Sequence, residues 1–465
     1  MSLSLPFAHA LLVREDLPIP AWLFAWGASV VLIISFFALS AAWRKPRFED
    51  ERWRPLNASF SRALLSLPVQ ILCGAIGVLL LGLSIYAGLR GTEAPDRNFA
   101  LTFLLVTAWL GFPLFSVIFG DVFRPFNPWR AVGRAIGGGF TLVAGQGPAH
   151  LRYPVWLGRW PAAVGLLAFV WLEVVYGGSG GVAVSLSPHV AATAALLYSL
   201  YTLAMMMLFG VEKWCNTGEV FSVYFGMFAR LGVFATQDGR LGRRLPLAAA
   251  GRWASLPGST AVVVASIATT SFDGGQDGAF KGGIERGYDW LVDAGFEKLT
   301  ALRLSSTVVM LLTFAGVGAV YLIGVRGMAT VRGAPSLAKL RTGFAHTLIP
   351  IAFAYLVAHY FSYFVFQEQA QFTYLLSDPL GTATTDLFGT ASAGVDYKFL
   401  SANAIWYVQV GALVIGHVVG LILAHDRATA YWGDYRQAAR SQYWMLAVMV
   451  AFTCFGLYLL SVGNG

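Results

Sequence analysis

Charge is scarce in this chain, and sulfur scarcer. Only 12% of the 465 residues are Asp, Glu, Lys or Arg, against 57% hydrophobic. That is too little charge to solvate a globule of this length, and it excludes a soluble or disordered protein. The three cysteines, Cys73, Cys215 and Cys454, are odd in number and show no Cys-x-x-Cys pair. A disulfide frame, a zinc ribbon and thiol redox chemistry are therefore all poor fits. Internal repeats are absent, and so is inverted half-to-half symmetry, which removes the simplest case for a secondary transporter.

Apolar runs, by contrast, are long and frequent. A helix needs about 20 apolar residues to cross about 30 Å of hydrocarbon, and the sequence offers ten such runs, near 20–43, 64–89, 99–120, 160–177, 188–210, 256–272, 304–325, 343–367, 403–425 and 441–462. The expected fold is all-α, a single polytopic membrane bundle over residues 1–465. If the N-terminus is outside, the inner loops hold 24 of the 32 Lys and Arg residues. The positive-inside rule then gives ten crossings with both termini outside. The net charge of +8 reports this topology and does not call for nucleic acid as a partner.

Residues 121–159 and 211–255 become cytoplasmic loops with interfacial helices. In the first, Asn127 and Pro128 suit an N-cap and first helical residue. In the second, Glu219–Phe234 is apolar enough to pass for an eleventh span, but a crossing there would send Arg240, Arg243, Arg244 and Arg252 outside. It is expected to be interfacial or re-entrant. Residues 273–303 and 368–402 become the long outer loops, the first with an amphipathic helix through Ile284, Tyr288, Leu291 and Phe296. Leu3–Val13 lacks a basic n-region and a cleavage site, so the first span is expected to insert uncleaved.

Ionisable groups inside spans are expensive and mark function by default. Glu173 is the one acid placed within a span. Four of the seven histidines fall on consecutive spans, His346 and His359 on the eighth, His417 and His425 on the ninth. His346 and His359 lie about 220° apart round a straight helix, so they share a site only if the helix bends, as Pro350 would allow. Tyr355 shares the face of His359. Gly416 and Gly420 form a small-xxx-small pair that admits a neighbouring backbone.

Two candidate sets follow. His417, His359, Tyr355 and Glu173 are candidate catalytic or proton-relay groups, and His346, His417, His425 and Asp426 are candidate ligands of a divalent metal. Each has a plainer reading: membrane histidines commonly bridge helices, and His425, Asp426 and Arg427 suit a helix C-terminus at an interface. No spacing fixes metal ligands on one helix, and haem fits the histidine offsets less well still. The literal GxSxG at Gly177–Gly181 lacks the strand and helix of a nucleophile elbow, and Gly137–Gly139 lack the strand and acid of a nucleotide site.

Several strings resemble one known family: DLPIPAWLFAWGASVVLIISF from Asp16, FRPFNPWRAVGRA from Phe123, IPIAFAYLVAHYFSYFVFQ from Ile349, SDPLG from Ser377 and GHVVGLILAHDRA from Gly416. Together they resemble polytopic bacterial membrane proteins known as fenitrothion hydrolases. The resemblance implies a cytoplasmic-membrane enzyme that cleaves the aryl ester bond of a phosphorothioate triester and releases a nitrophenol. It carries over no catalytic residues, and the family's His-Gly pair is His9-Ala10 here. Three functions are therefore weighed: a hydrolase of a small apolar ester entering from the bilayer, a proton-coupled or small-molecule transporter, and a cofactor-assembly subunit. Convergence separates the first two, because an enzyme gathers its groups round one point whereas a relay strings them along a path.

Overall fold

The computed structural model describes residues 21–49, 52–178, 186–253 and 256–463. Leu3–Val13 and Ser179–Gly181 of the GxSxG string lie outside the described residues. The chain is 73% helical with almost no sheet. We number the principal helices α1 (Ala21–Ala42), α2 (Leu67–Arg90), α3 (Phe99–Phe119), α4 (Pro128–Ala144), α5 (Trp160–Tyr176), α6 (Pro188–Phe209), α7 (Val211–Thr217) and α8 (Val220–Phe228). There follow α9 (Ser259–Gly275), α10 (Lys281–Asp293), α11 (Lys298–Ala329), α12 (Ile349–Ala370), α13 (Ala402–Trp432) and α14 (Tyr435–Gly463). Seven helical stretches among the described residues are long and apolar enough to cross a membrane, and the chain is a multi-pass membrane protein.

Alternate loops meet at two ends. At the arginine-rich end, β1 (Arg54–Pro55), β2 (Phe234–Gln237) and β3 (Arg240–Arg243) form a small antiparallel sheet in the order β1-β3-β2. Asp238 and Gly239 both take positive φ between β2 and β3, the two-residue turn that an Asp-Gly pair favours. Arg159 ties this end together by donating to the Trp253 carbonyl (2.6 Å) and the Ser259 hydroxyl (2.9 Å). At the opposite end, the Thr92 amide donates to the Leu380 carbonyl (2.8 Å) and the Phe99 amide to the Pro379 carbonyl (3.1 Å).

Helix α9 is the axis of the bundle. Every residue from Ala261 to Asp273 is buried, among α5, α11, α12 and α14. Its small side chains let those neighbours close in, and two of its hydroxyls bond within the helix: Thr269 donates to the Ala265 carbonyl (2.8 Å) and Thr270 to that of Ser266 (3.1 Å). Helices α12 and α13 pack as the small-xxx-small pair suggests. A Cβ on Gly416 would overlap Ala354 Cβ, and one on Gly420 would lie 2.9 Å from the Thr347 carbonyl oxygen. Gly416→Leu is therefore expected to cost about 1–3 kcal/mol by overpacking, read as a lower unfolding temperature in detergent; an unchanged temperature would refute the contact.

Four expectations need correction. Pro350 stands in the first turn of α12, after a 3-10 turn at Ala345–Leu348 that carries His346. The proline starts the helix instead of bending it, because its missing N–H costs nothing there. Helix α8 does not fit the interfacial alternative for Glu219–Phe234: Tyr224, Phe225, Met227 and Phe228 are at most 1% exposed, as befits a helix apolar on every side. Asp273 lies within α9 and Glu368 within α12, not in the loops 273–303 and 368–402. The N-cap of α4 does follow expectation, with Asn127 Oδ1 accepting from the Arg130 amide (2.8 Å).

Candidate functional site

The Asp273 carboxylate is 6% exposed and stands near the end of the axial helix. Its Oδ2 accepts from the Tyr360 hydroxyl (2.6 Å) and lies 2.8 Å from His359 Nε2; its Oδ1 accepts from Gln276 Nε2 (3.1 Å). His359 and Tyr360 are neighbours about 100° apart on α12. Both reach one oxygen because α9 crosses α12 at that level. Since a carboxylate only accepts, Nε2 carries the proton of this bond; in the neutral ring Nδ1 then holds the lone pair. Nδ1 faces the α9 backbone, where a Cβ on Gly274 would lie 3.2 Å away.

Glu173 belongs to the same region. It sits on a π-helical segment, Trp171–Tyr176, at the end of α5, and such segments concentrate at functional sites. Its charge acts on Tyr224 of α8 and on Tyr360 and Tyr363 of α12, and Asp273 acts on the same Tyr360 and Tyr363. Two carboxylates on different helices therefore act on one pair of tyrosines. Glu368, further along α12, lies beside Thr107, which is on a second π segment, Phe103–Ala108. A third, Gln371–Leu375, follows α12. Each of the three adds a residue to its turn and holds a polar side chain that is at least partly buried: Thr107, Glu173 and the buried Gln371.

The remaining candidates are placed elsewhere. Tyr355 does not pair with His359; its hydroxyl donates to the Phe452 carbonyl (2.7 Å), and its ring lies 6.1 Å from that of His417. His417 is fully buried and bonds through Nδ1 to the carbonyl of Leu413 one turn back (2.7 Å). His346 is buried at the arginine-rich end near the Gly343 backbone. His425 Nε2 bonds to the Trp43 carbonyl (3.0 Å). Asp426 accepts from Trp43 Nε1 (2.9 Å), the Arg47 amide (2.6 Å) and the Phe48 amide (3.0 Å).

Asp426 is thus occupied in holding a chain segment, and among the described residues no three His, Cys, Asp or Glu side chains are grouped as metal ligands. The sequence pointed to His359 and Glu173 in one set with His417 and Tyr355 and missed Asp273, Tyr360 and Tyr363. The available signals were an acid at the edge of an apolar run, SFDGG, and a His-Tyr doublet. No family model matches the chain, and neither a curated protein nor a solved structure matches it.

Proposed function

We propose that the chain spans the membrane ten times with both termini outside, and that the Asp273, His359 and Tyr360 cluster is the acid–base centre of a proton-coupled transporter. The observation that carries this reading is one buried carboxylate oxygen bonded to both an imidazole and a phenol inside the packed helices. Ion pathways and proton relays are where membrane proteins retain such groups. A proton needs donors and acceptors and no open cavity, and Tyr360 and Tyr363 both lie within electrostatic reach of Asp273 and Glu173. The topology is supported by the meeting of alternate loops at two ends and by the positive-inside bias, since it assigns 24 of the 32 basic residues to the inner loops.

The same dyad favours a second reading. A histidine oriented by a carboxylate is a general base, and Asp273 with His359 could activate water against an apolar phosphorothioate triester entering from lipid, as the family resemblance implies. One preparation tests both. In proteoliposomes loaded with a pH-sensitive dye, a potassium diffusion potential should drive proton flux through the wild type and not through Asp273→Asn. Nitrophenol release is followed on the same vesicles. Release that fails in Asp273→Asn, without any flux in the wild type, would favour the hydrolase; neither signal in the wild type would defeat both.

Gly274→Ala probes the geometry of the dyad. The added methyl would stand 3.2 Å from Nδ1 and 3.4 Å from Cε1 of His359, so the ring must shift. Proton flux is expected to fall about tenfold with little loss of stability, and an undiminished flux would remove Nδ1 from the path.

A further inference from the structure

A second site lies at the arginine-rich end. At Gly133 of α4 a Cβ would meet Val211 Cγ2 at 3.0 Å and Met206 Sδ at 3.1 Å, so the helix closes tightly on the corner between α6 and α7; at Gly137 and Gly138 nothing lies within 4 Å. One turn beyond the close approach, the helices part. They leave an open cleft of about 430 Å³ with Arg134, His150, Glu212 and Lys213 in its wall.

The wall holds Arg134 and Lys213 against Glu212, and Arg124 and Arg130 stand beside it. Glu212 accepts from Arg134 Nη2 (2.7 Å), and Arg130 and Arg124 stand 3.3 and 3.5 Å from its other oxygen. Burial resists ionisation of this carboxyl, but the guanidinium groups of Arg130, Arg134 and Arg124 outweigh it and hold Glu212 below its ordinary value. Glu212 is therefore anionic at neutral pH. The other acid in range is Asp121, which acts on Arg130 and Arg124. Two carboxylates thus face three arginines and Lys213, whose ammonium is 5.3 Å from the Tyr153 ring. His150 bonds through Nδ1 to the Met207 carbonyl (3.1 Å), which fixes its ring at the rim.

The surroundings are apolar and exposed: Phe140 (49%), Leu142 (88%), Val143 (91%) and Leu151 (62%). A basic cleft bordered by bare aliphatic groups, on an amphipathic helix beside the spans, matches the boundary between headgroups and acyl chains. Guanidinium and ammonium groups together recognise phosphate.

We propose that this cleft binds a phosphate-bearing ligand, with Arg134 and Lys213 on the phosphate and the glycine-lined wall admitting the group attached to it. The inference rests on the membrane placement of this end and is independent of the Asp273 cluster. Two sources share the chemistry, an anionic phospholipid headgroup and free phosphate.

The test uses the full chain in detergent. Lipid retention is read by native mass spectrometry after incubation with phosphatidylglycerol or phosphatidylcholine, and unfolding temperature is read with inorganic phosphate against chloride at equal ionic strength. Phosphatidylglycerol should be retained about tenfold better than phosphatidylcholine. Arg134→Gln with Lys213→Gln should abolish the preference. Gly138→Leu, which fills the cleft where no atom stands within 4 Å, should do the same without lowering the unfolding temperature. Stabilisation by inorganic phosphate, lost in the same variants, would assign the site to the free anion. Equal retention of both lipids with no phosphate effect, or a preference untouched by Gly138→Leu, would overturn the proposal.

Discussion

Asp273→Asn should reduce proton flux by about 10²-fold or more while leaving a folded protein. The asparagine oxygen can take the place of Oδ2 and accept from both His359 and Tyr360, its NH2 then facing the Gln276 Nε2 donor, so the expected stability cost is about 1–3 kcal/mol, that of leaving one buried donor without a partner. Asp273→Ala strands both His359 Nε2 and the Tyr360 hydroxyl, which now bond the same oxygen. Breaking a buried pair in this way costs about 3–5 kcal/mol, and the unfolding temperature should fall accordingly. Glu173→Gln separates a relay from a local dyad. It removes a charge that acts on Tyr360 and Tyr363 without touching the bonds of Asp273. A relay through those tyrosines predicts that flux falls in Glu173→Gln as in Asp273→Asn. If Asp273→Asn conducts protons like the wild type, the cluster is structural and the reading fails.

The bundle was legible in the sequence because apolar length and basic loops are one-dimensional signals. Seven of the helical stretches among the described residues are long and apolar enough to cross a membrane, and Gly416 with Gly420 marked the close approach of α12 and α13. The site was legible only in part, for a reason visible at Asp273. The hydropathy of α9 ends at Phe272, before Asp-Gly-Gly-Gln, so the acid reads as loop. What keeps the helix going to Gly275 and makes burial of the carboxylate tolerable is the donor pair on α12, eighty-six and eighty-seven positions away. The inner histidines mislead in the opposite way. They cluster along the chain, yet His417 bonds the carbonyl one turn back, a local tie that leaves no mark on spacing. For α8 the arginines that follow it argued against a crossing and left interfacial and re-entrant placements both open, although nine residues without a polar face pointed to the interior.

The second large effect is expected at Asp426, where the metal-ligand reading and the observed geometry part company. Residues His425, Asp426 and Arg427 of α13 all grip the segment after α1. His425 bonds the Trp43 carbonyl, Asp426 takes three donors from Trp43, Arg47 and Phe48, and Arg427 pairs with Glu49 at 3.1 Å. The Arg47 guanidinium closes over the Trp43 ring at 4.3 Å. A buried carboxylate with three donors is a strap, and its removal leaves two backbone amides and an indole N–H without acceptors. Asp426→Ala should therefore cost about 3–5 kcal/mol. Trypsin should cut at Arg44 or Arg47 far faster than in the wild type, because the loosened segment can enter a protease cleft. Asp426→Asn should fall between, keeping one acceptor. A metal held by Asp426 predicts something different: a chelator would reproduce the tryptic pattern of Asp426→Ala in the wild-type protein. Cleavage that rises in the variant and is indifferent to chelation assigns Asp426 to anchoring α1 against α13; cleavage unchanged in the variant would show that the three hydrogen bonds do not hold the segment.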